Sequence, residues 1–373
     1  MQRIKFIFIF LILVSLSVHS GEFEKYAFDS KVGKTDILVV VKNGRVIYQK
    51  FQPNFSLHSP HITHSINKLY LSTFIANEVL KKSLNINAPI IKNPKNLYEA
   101  HLTLENLMQM NSGLRPIYDN ESIEKINFGI IAPIDNFSIT AFDYIRKKSL
   151  QMYNPGAQFN YSYLEYDLAL VYLSEYYGHD NFEKKLNDFL SVDLKLENTL
   201  IKIPIYNNYL WDLNSSFLNQ LILKINPKDL FKIPPPINIG KTSAKDVIKV
   251  ASLYLNNGIF EGKRIFAPDW IAHSWSNNKR TFTISRRLDS YFSQFNVGYY
   301  WFLNQPFPDG VRPYPSLPSE LVSIQGFKGQ TLAIFPKEKI IYLRLANDEI
   351  NNSSFNRQKH LELLYNEIIK NNK

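Results

Sequence analysis

Two β-branched runs open the readable part of the chain. Residues 36–42 and 45–50 are joined by Asn43-Gly44, a pair that tolerates positive φ at both central positions and so predicts a two-residue hairpin. From Ser65 the period changes. Ile66, Leu69, Tyr70, Phe74, Val79 and Leu80 recur near helical spacing, which predicts a helix starting at or near Ser65. Residues 101–110 read as a second helix stopped by Asn111-Ser112-Gly113, and 164–177 as a third stopped by Gly178. Pro234-Pro235-Pro236 reads as a stiff extended connector. Residues 243–257 are helical again, with Ser243 and Asp246 spaced as a capping box. Residues 296–303, 321–325, 331–335 and 340–346 are β-prone, and 361–369 close with an amphipathic helix. Strands at both ends with helices between them predict an α+β protein, an antiparallel sheet flanked by helices with an inserted all-helical subdomain. The expected boundaries are 21–98 and 231–373 for a discontinuous sheet domain and 99–230 for a mainly helical subdomain.

The first twenty residues read differently. Arg3 and Lys5 precede an apolar run from Phe6 to Val14 that thins out to Val18, with small residues before Gly21. This is the pattern of a secretory signal peptide over residues 1–20, cleaved near Ser20/Gly21, and it predicts a periplasmic or secreted protein. The run is short for a spanning helix, which needs about 20 apolar residues. An uncleaved anchor is the alternative, and no stable membrane span is expected after cleavage.

Composition narrows the chemistry. With 45% apolar and 14% aromatic residues the 373-residue chain can bury a full core. The absence of cysteine excludes disulfides, thiolate zinc sites and a cysteine nucleophile. The net charge of +10 comes from 43 basic and 33 acidic residues, and 32 of the basic ones are Lys. An even Lys excess is a solvated surface rather than a nucleic-acid groove. His58, His61 and His64 have a spacing that invites a metal, but Pro60 interrupts them and no Glu-containing zincin signature is present, so a polar loop is expected and no metal or cofactor. Arg286-Arg287, with Lys279 and Arg280, reads as a solvated loop.

The candidate chemistry lies in Ser65-Ile66-Asn67-Lys68. Residues i and i+3 of a helix share a face, which puts an amine beside a hydroxyl. A serine attacks only when a base takes its proton, and a lysine is such a base only when burial or nearby charge depresses its pKa. Lys241-Thr242-Ser243 is a competing motif, read as the opening of a helix with Thr242 or Ser243 as its N-cap rather than as a strand.

Around that tetrapeptide, the chain resembles the serine β-lactamase/penicillin-binding-protein superfamily, most closely its class C-related esterase and 6-aminohexanoate-dimer hydrolase branch. The match runs in order through the hairpin at 37–48, Ser65-x-x-Lys68, the segment 102–114 ending in Ser-Gly-Leu, and Asn154-Pro-Gly-Ala-Gln-Phe-Asn-Tyr-Ser162. It continues through 241–270 to Gly326-Phe-Lys-Gly-Gln330. The resemblance implies a β-lactamase/transpeptidase-like fold and a cofactor-free serine hydrolase. Ser65 would be the nucleophile, Lys68 its base, and Tyr161 the proton relay. The backbone amides of Ser65 and Phe327, the latter following Gly326, would form the oxyanion hole. Two positions depart from the family. Tyr163 replaces an asparagine two residues after the tyrosine, and Ile324-Gln325-Gly326 replaces Lys-Thr-Gly. Loss of that lysine removes a cation that would bind a carboxylate. The implied substrate is therefore a small ester or amide, or a cell-wall-derived molecule. A catalytically impaired envelope-binding protein, a true β-lactamase or a D-amino-acid peptidase are the alternatives.

Overall fold

The computed structural model describes residues 21–116, 149–159, 161, 163–201, 240–276, 295–348 and 354–370. The expected signal segment, the Pro234–Pro236 connector and the Arg286-Arg287 cluster lie outside the described residues.

A seven-stranded antiparallel sheet organises the molecule. Its strands are β1 (Thr35–Lys42), β2 (Arg45–Phe51), β3 (Asn296–Val297), β4 (Phe302–Leu303), β5 (Val322–Gln325), β6 (Thr331–Phe335) and β7 (Ile340–Ala346). The spatial order is β3-β4-β5-β6-β7-β1-β2, so the last strand of the chain pairs with the first. Asn43 and Gly44 take φ of 51° and 75°, as the hairpin turn between β1 and β2 requires. β7 is buried along its whole length, because helices cover both faces of the sheet. α1 (Glu22–Phe28) and α9 (Arg357–Leu364) pack on each other and α1 against β1, while α2 (Lys68–Leu80) and α7 (Ala244–Leu255) pack together, with α7 also against β7.

The insertion between β2 and β3 carries α2, α3 (Leu97–His101), α4 (Leu104–Met108), α5 (Tyr163–Tyr177), α6 (His179–Asp188), α7 and α8 (Pro268–Ser274). Among the described residues no helix is long and apolar enough to cross a membrane.

Several local expectations are corrected. The helix expected over 101–110 is two helices, because Leu102 is extended and Thr103 caps α4 with Asn106 in a reciprocal capping box. The strand expected over 296–303 is the hairpin β3–β4, whose turn holds Tyr300 at φ 65° and brings Gly298 so close to Ser274 that a Cβ would lie 1.8 Å from its carbonyl oxygen. The turn carries Gly298, but Tyr299, Tyr300 and Trp301 follow it in place of an Asn-Gly pair and read as β-prone. Lys241 and Thr242 do lie on a strand, Gly240–Thr242, paired with His61–Ile62. Ser243 then caps α7 by accepting from Asp246 N. The Asp246 carboxylate does not complete the box and accepts instead from Asn198 N and Thr199 Oγ1. The C-terminal helix begins at Arg357, ahead of the expected residue 361, with Asn356 as its cap.

Candidate active site

Ser65 sits in a 3-10 turn, His64–Asn67, that runs directly into α2. Thr63 closes the turn: its carbonyl accepts from Ile66 N at 3.1 Å, and its hydroxyl donates to Asn67 Oδ1 at 2.7 Å. His64 enters with φ 49°, a left-handed conformation that histidine tolerates better than a β-branched residue. Below the turn, Ile66, Leu69, Tyr70, Phe74 and Ile75 have no exposed surface. Each contributes about 1.5–3 kcal/mol of apolar burial and anchors the turn against the core. α2 is buried on all faces over its first ten residues and more, so it is a central helix rather than an amphipathic surface one.

Lys68 is the first residue of α2, and its Nζ donates to Ser65 Oγ at 2.9 Å. It is 3% exposed. The ammonium lies over the rings of Tyr166 and Tyr161, 5.1 and 5.6 Å from their centroids. Burial lowers its pKa to about 8, with the Asp167 carboxylate working in the opposite direction. At pH 7 such a lysine is about one-tenth neutral, against about one part in three thousand for a solvated one. That gain in free base is what a serine nucleophile needs.

Tyr161 arrives from 96 residues away in sequence. Its Oη and Ser65 Oγ share a hydrogen bond of 3.1 Å, and its ring stacks on Phe302 at 5.7 Å. Burial raises its pKa, while the Ser65 hydroxyl and the Arg357 charge pull it back. Two anchors tie the preceding segment to the loop after α4. Gly156 N donates to Asn111 O at 2.7 Å. Gly113, at φ 80°, lets the chain pass where a Cβ would come within 2.2 Å of Tyr153 O. Beyond Tyr161, Ser112 Oγ donates to Glu165 Oε1 at 2.7 Å and ties down the first turn of α5. Burial pushes the Glu165 carboxyl well above the usual range.

The opposite wall is the end of β5. A Cβ on Gly326 would lie 2.8 Å from Thr63 O, so a glycine is required for this strand to approach the nucleophile turn. The Phe327 ring meets the His64 imidazole edge-on at 5.5 Å, and burial lowers the His64 pKa to about 4. Lys328 and Gly329 follow with φ of 56° and 84°. This left-handed pair is held from behind by Arg344, which donates to Gly329 O at 2.9 Å and forms a bidentate pair with Asp348 at 2.8 Å for both contacts.

Ser65, Lys68 and Tyr161 are thus brought together, and Gly326 and Phe327 border them. Tyr163 is the first residue of α5. Gln325 is buried and donates to Tyr314 Oη at 3.2 Å rather than to the trio. Thr242 is buried between Tyr70 and Thr199, away from Ser65. The three histidines do not converge. His58 is exposed, His61 binds Asp36 at 3.0 Å, and His64 faces Phe327. Among the described residues no group of three His, Asp or Glu is placed to hold a metal. Sequence reading missed Tyr166, Arg344, Asp348 and Arg357 as neighbours of the site. Helical spacing links Tyr166 to α5, but only the packing of α5 on α2 puts its ring under Lys68.

The layout is that of a serine hydrolase fold. The Beta-lactamase family model matches residues 33–367, and the chain belongs to that family. Solved structures agree on the fold. A provisionally named 6-aminohexanoate-dimer hydrolase from Bacillus anthracis is 17% identical, with a TM-score of 0.60 over 91% of this chain and 79% of that one. EstCE1, a hydrolase with promiscuous acyltransferase activity, is 14% identical, with a TM-score of 0.63 over 92% and 96%. A class C β-lactamase from Rhodobacter sphaeroides is 15% identical, with a TM-score of 0.58 over 94% and 98%. No curated protein matches the chain significantly.

Proposed function

We propose that the protein is an exported serine hydrolase that cleaves a small ester or amide through an acyl-enzyme on Ser65. The observation that carries this reading is the position of one serine hydroxyl within hydrogen-bond distance of both a lysine amine, at 2.9 Å, and a phenol, at 3.1 Å. Neutral Lys68 takes the Ser65 proton as Oγ bonds to the substrate carbonyl carbon. The resulting oxyanion faces the amides of Ser65 and Phe327. Tyr161 passes a proton to the leaving alcohol or amine, the bond to that group breaks, and the acyl chain stays on Ser65. Water then attacks the ester, giving up a proton to the same pair, and releases the acid. Ile324-Gln325-Gly326 stands where a Lys-Thr-Gly box would be, with Ile324 at the position of the cation, which favours a substrate without a carboxylate there.

Intact-mass measurement after treatment with a fluorophosphonate tests the reading. One adduct is expected on the wild type and none on Ser65→Ala, with p-nitrophenyl butyrate turnover falling at least about 10³-fold in the variant. An unlabelled wild type with no ester turnover would favour the second reading, an envelope-binding protein, which Tyr163 and Gln325 support.

A further inference from the structure

Arg357 is the first residue of α9 and lies beside the end of β5 that borders Ser65. Its Nη2 donates to Gly326 O at 2.8 Å and its Nε to Thr331 Oγ1 at 3.2 Å. Both acceptors are neutral. A guanidinium at a helix N-terminus opposes the helix dipole, and the first turn of α9 has no acidic residue to offset it. The fold therefore keeps a positive charge in an electrostatically unfavourable place, where it donates to one carbonyl and is also felt by the Tyr161 phenol.

That carbonyl belongs to the Gly326–Phe327 peptide. In a trans peptide C=O and N–H point in opposite directions, and the described chain contains no cis bonds. Whatever holds the Gly326 oxygen therefore aims the Phe327 N–H. A cation on the oxygen also draws electron density from the peptide and strengthens its N–H as a donor. We infer that Arg357 is a positioning residue that orients and polarises the Gly326–Phe327 peptide, whose N–H receives the oxyanion. This rests on the acyl-enzyme reading above. Arg344 and Asp348 hold the turn behind that peptide, but beyond each other they bond to Gly329 and Thr35 and to Lys34 and Lys328, not to Gly326. Arg357 thus acts alone on the Gly326 oxygen among the described residues.

Steady-state hydrolysis of p-nitrophenyl butyrate by wild type, Arg357→Met, Arg357→Lys and Arg357→Ala tests the inference, once fluorophosphonate has labelled wild-type Ser65. A wild type that is not labelled overturns the acyl-enzyme reading without reference to Arg357. Given labelling, kcat of Arg357→Met is expected to fall about 30-fold, with KM changed less than about threefold. This is short of the 10²–10³ seen when an oxyanion donor is deleted, because the N–H itself remains. Arg357→Lys is expected to recover part of the loss, because a point charge reaches one acceptor but not both. Guanidinium ion added at millimolar concentration is expected to restore Arg357→Ala in part. Arg357→Met at wild-type kcat overturns the inference, as does a loss confined to KM, which would mean that the guanidinium grips substrate. If Arg357→Met does not fold, Arg357→Lys and Thr331→Val decide: both are expected to lower kcat and leave KM, and wild-type kcat in both overturns the inference.

Discussion

The two walls of the crevice are held by opposite means. The wall that carries Ser65 and Lys68 is packed hydrocarbon, a turn set on the fully buried side chains of α2. The wall that carries Gly326 and Phe327 is held by charge and directed hydrogen bonds: the Arg344–Asp348 pair behind Gly329, Arg357 on Gly326, and Gln330 accepting from Ala346 N at 3.1 Å. Apolar packing is non-directional, but it supplies the low-dielectric setting that lowers the lysine pKa. It cannot aim a peptide. Hydrogen bonds can, because their strength falls steeply with angle. One wall therefore tunes a proton, and the other orients a dipole.

Lys68 is where the comparison breaks most sharply. Lys68→Met is expected to lower kcat/KM by up to about 10⁴-fold, the upper range for loss of a general base. In the wild type the rate should climb with pH until Lys68 loses its proton, near pH 8. Stability should also rise with pH, over a higher range. A lysine whose folded pKa is depressed binds fewer protons than in the unfolded chain, so it destabilises the fold at pH values below 8, and the penalty fades between 8 and 10.5. Lys68→Met is therefore expected to raise the unfolding free energy at pH 7 by about 3 kcal/mol, at 1.36 kcal/mol per unit. Urea melts at pH 7 and 10 measure this, and an unchanged or lower stability at pH 7 would refute it.

The charged wall should fail abruptly. Arg344→Leu leaves Asp348 buried and unpaired, and is expected to cost about 3–5 kcal/mol in a urea melt. A loss below about 1 kcal/mol would mean that the clamp is not electrostatic. The packed wall should fail gradually. Ile66→Val, beside the nucleophile, is expected to cost about 1 kcal/mol and to leave the pH–rate profile in place.

Legibility in the sequence followed distance along the chain. The β1–β2 turn was readable because Asn43 and Gly44 carry their conformational preference locally. Ser65 and Lys68 were readable as neighbours because three residues make one helical turn. The break at Leu102 was not, since Thr103 capping competes with a helical period that runs through it. The β3–β4 turn was hidden because Gly298 is required by Ser274, a contact that no local pattern encodes.

By itself the sequence determined the α+β pattern, the hydroxyl–amine pair and the segments that place the chain in its family. These depend on short-range spacing and residue type. Only the tertiary structure decided that Tyr161 reaches Ser65, that Lys68 is dry enough to titrate near 8, and that Arg357 holds the Gly326 carbonyl. Each of those is a property of several elements packed together: dehydration is a sum over all the atoms around a group, and a peptide's direction is set by partners that lie far away along the chain.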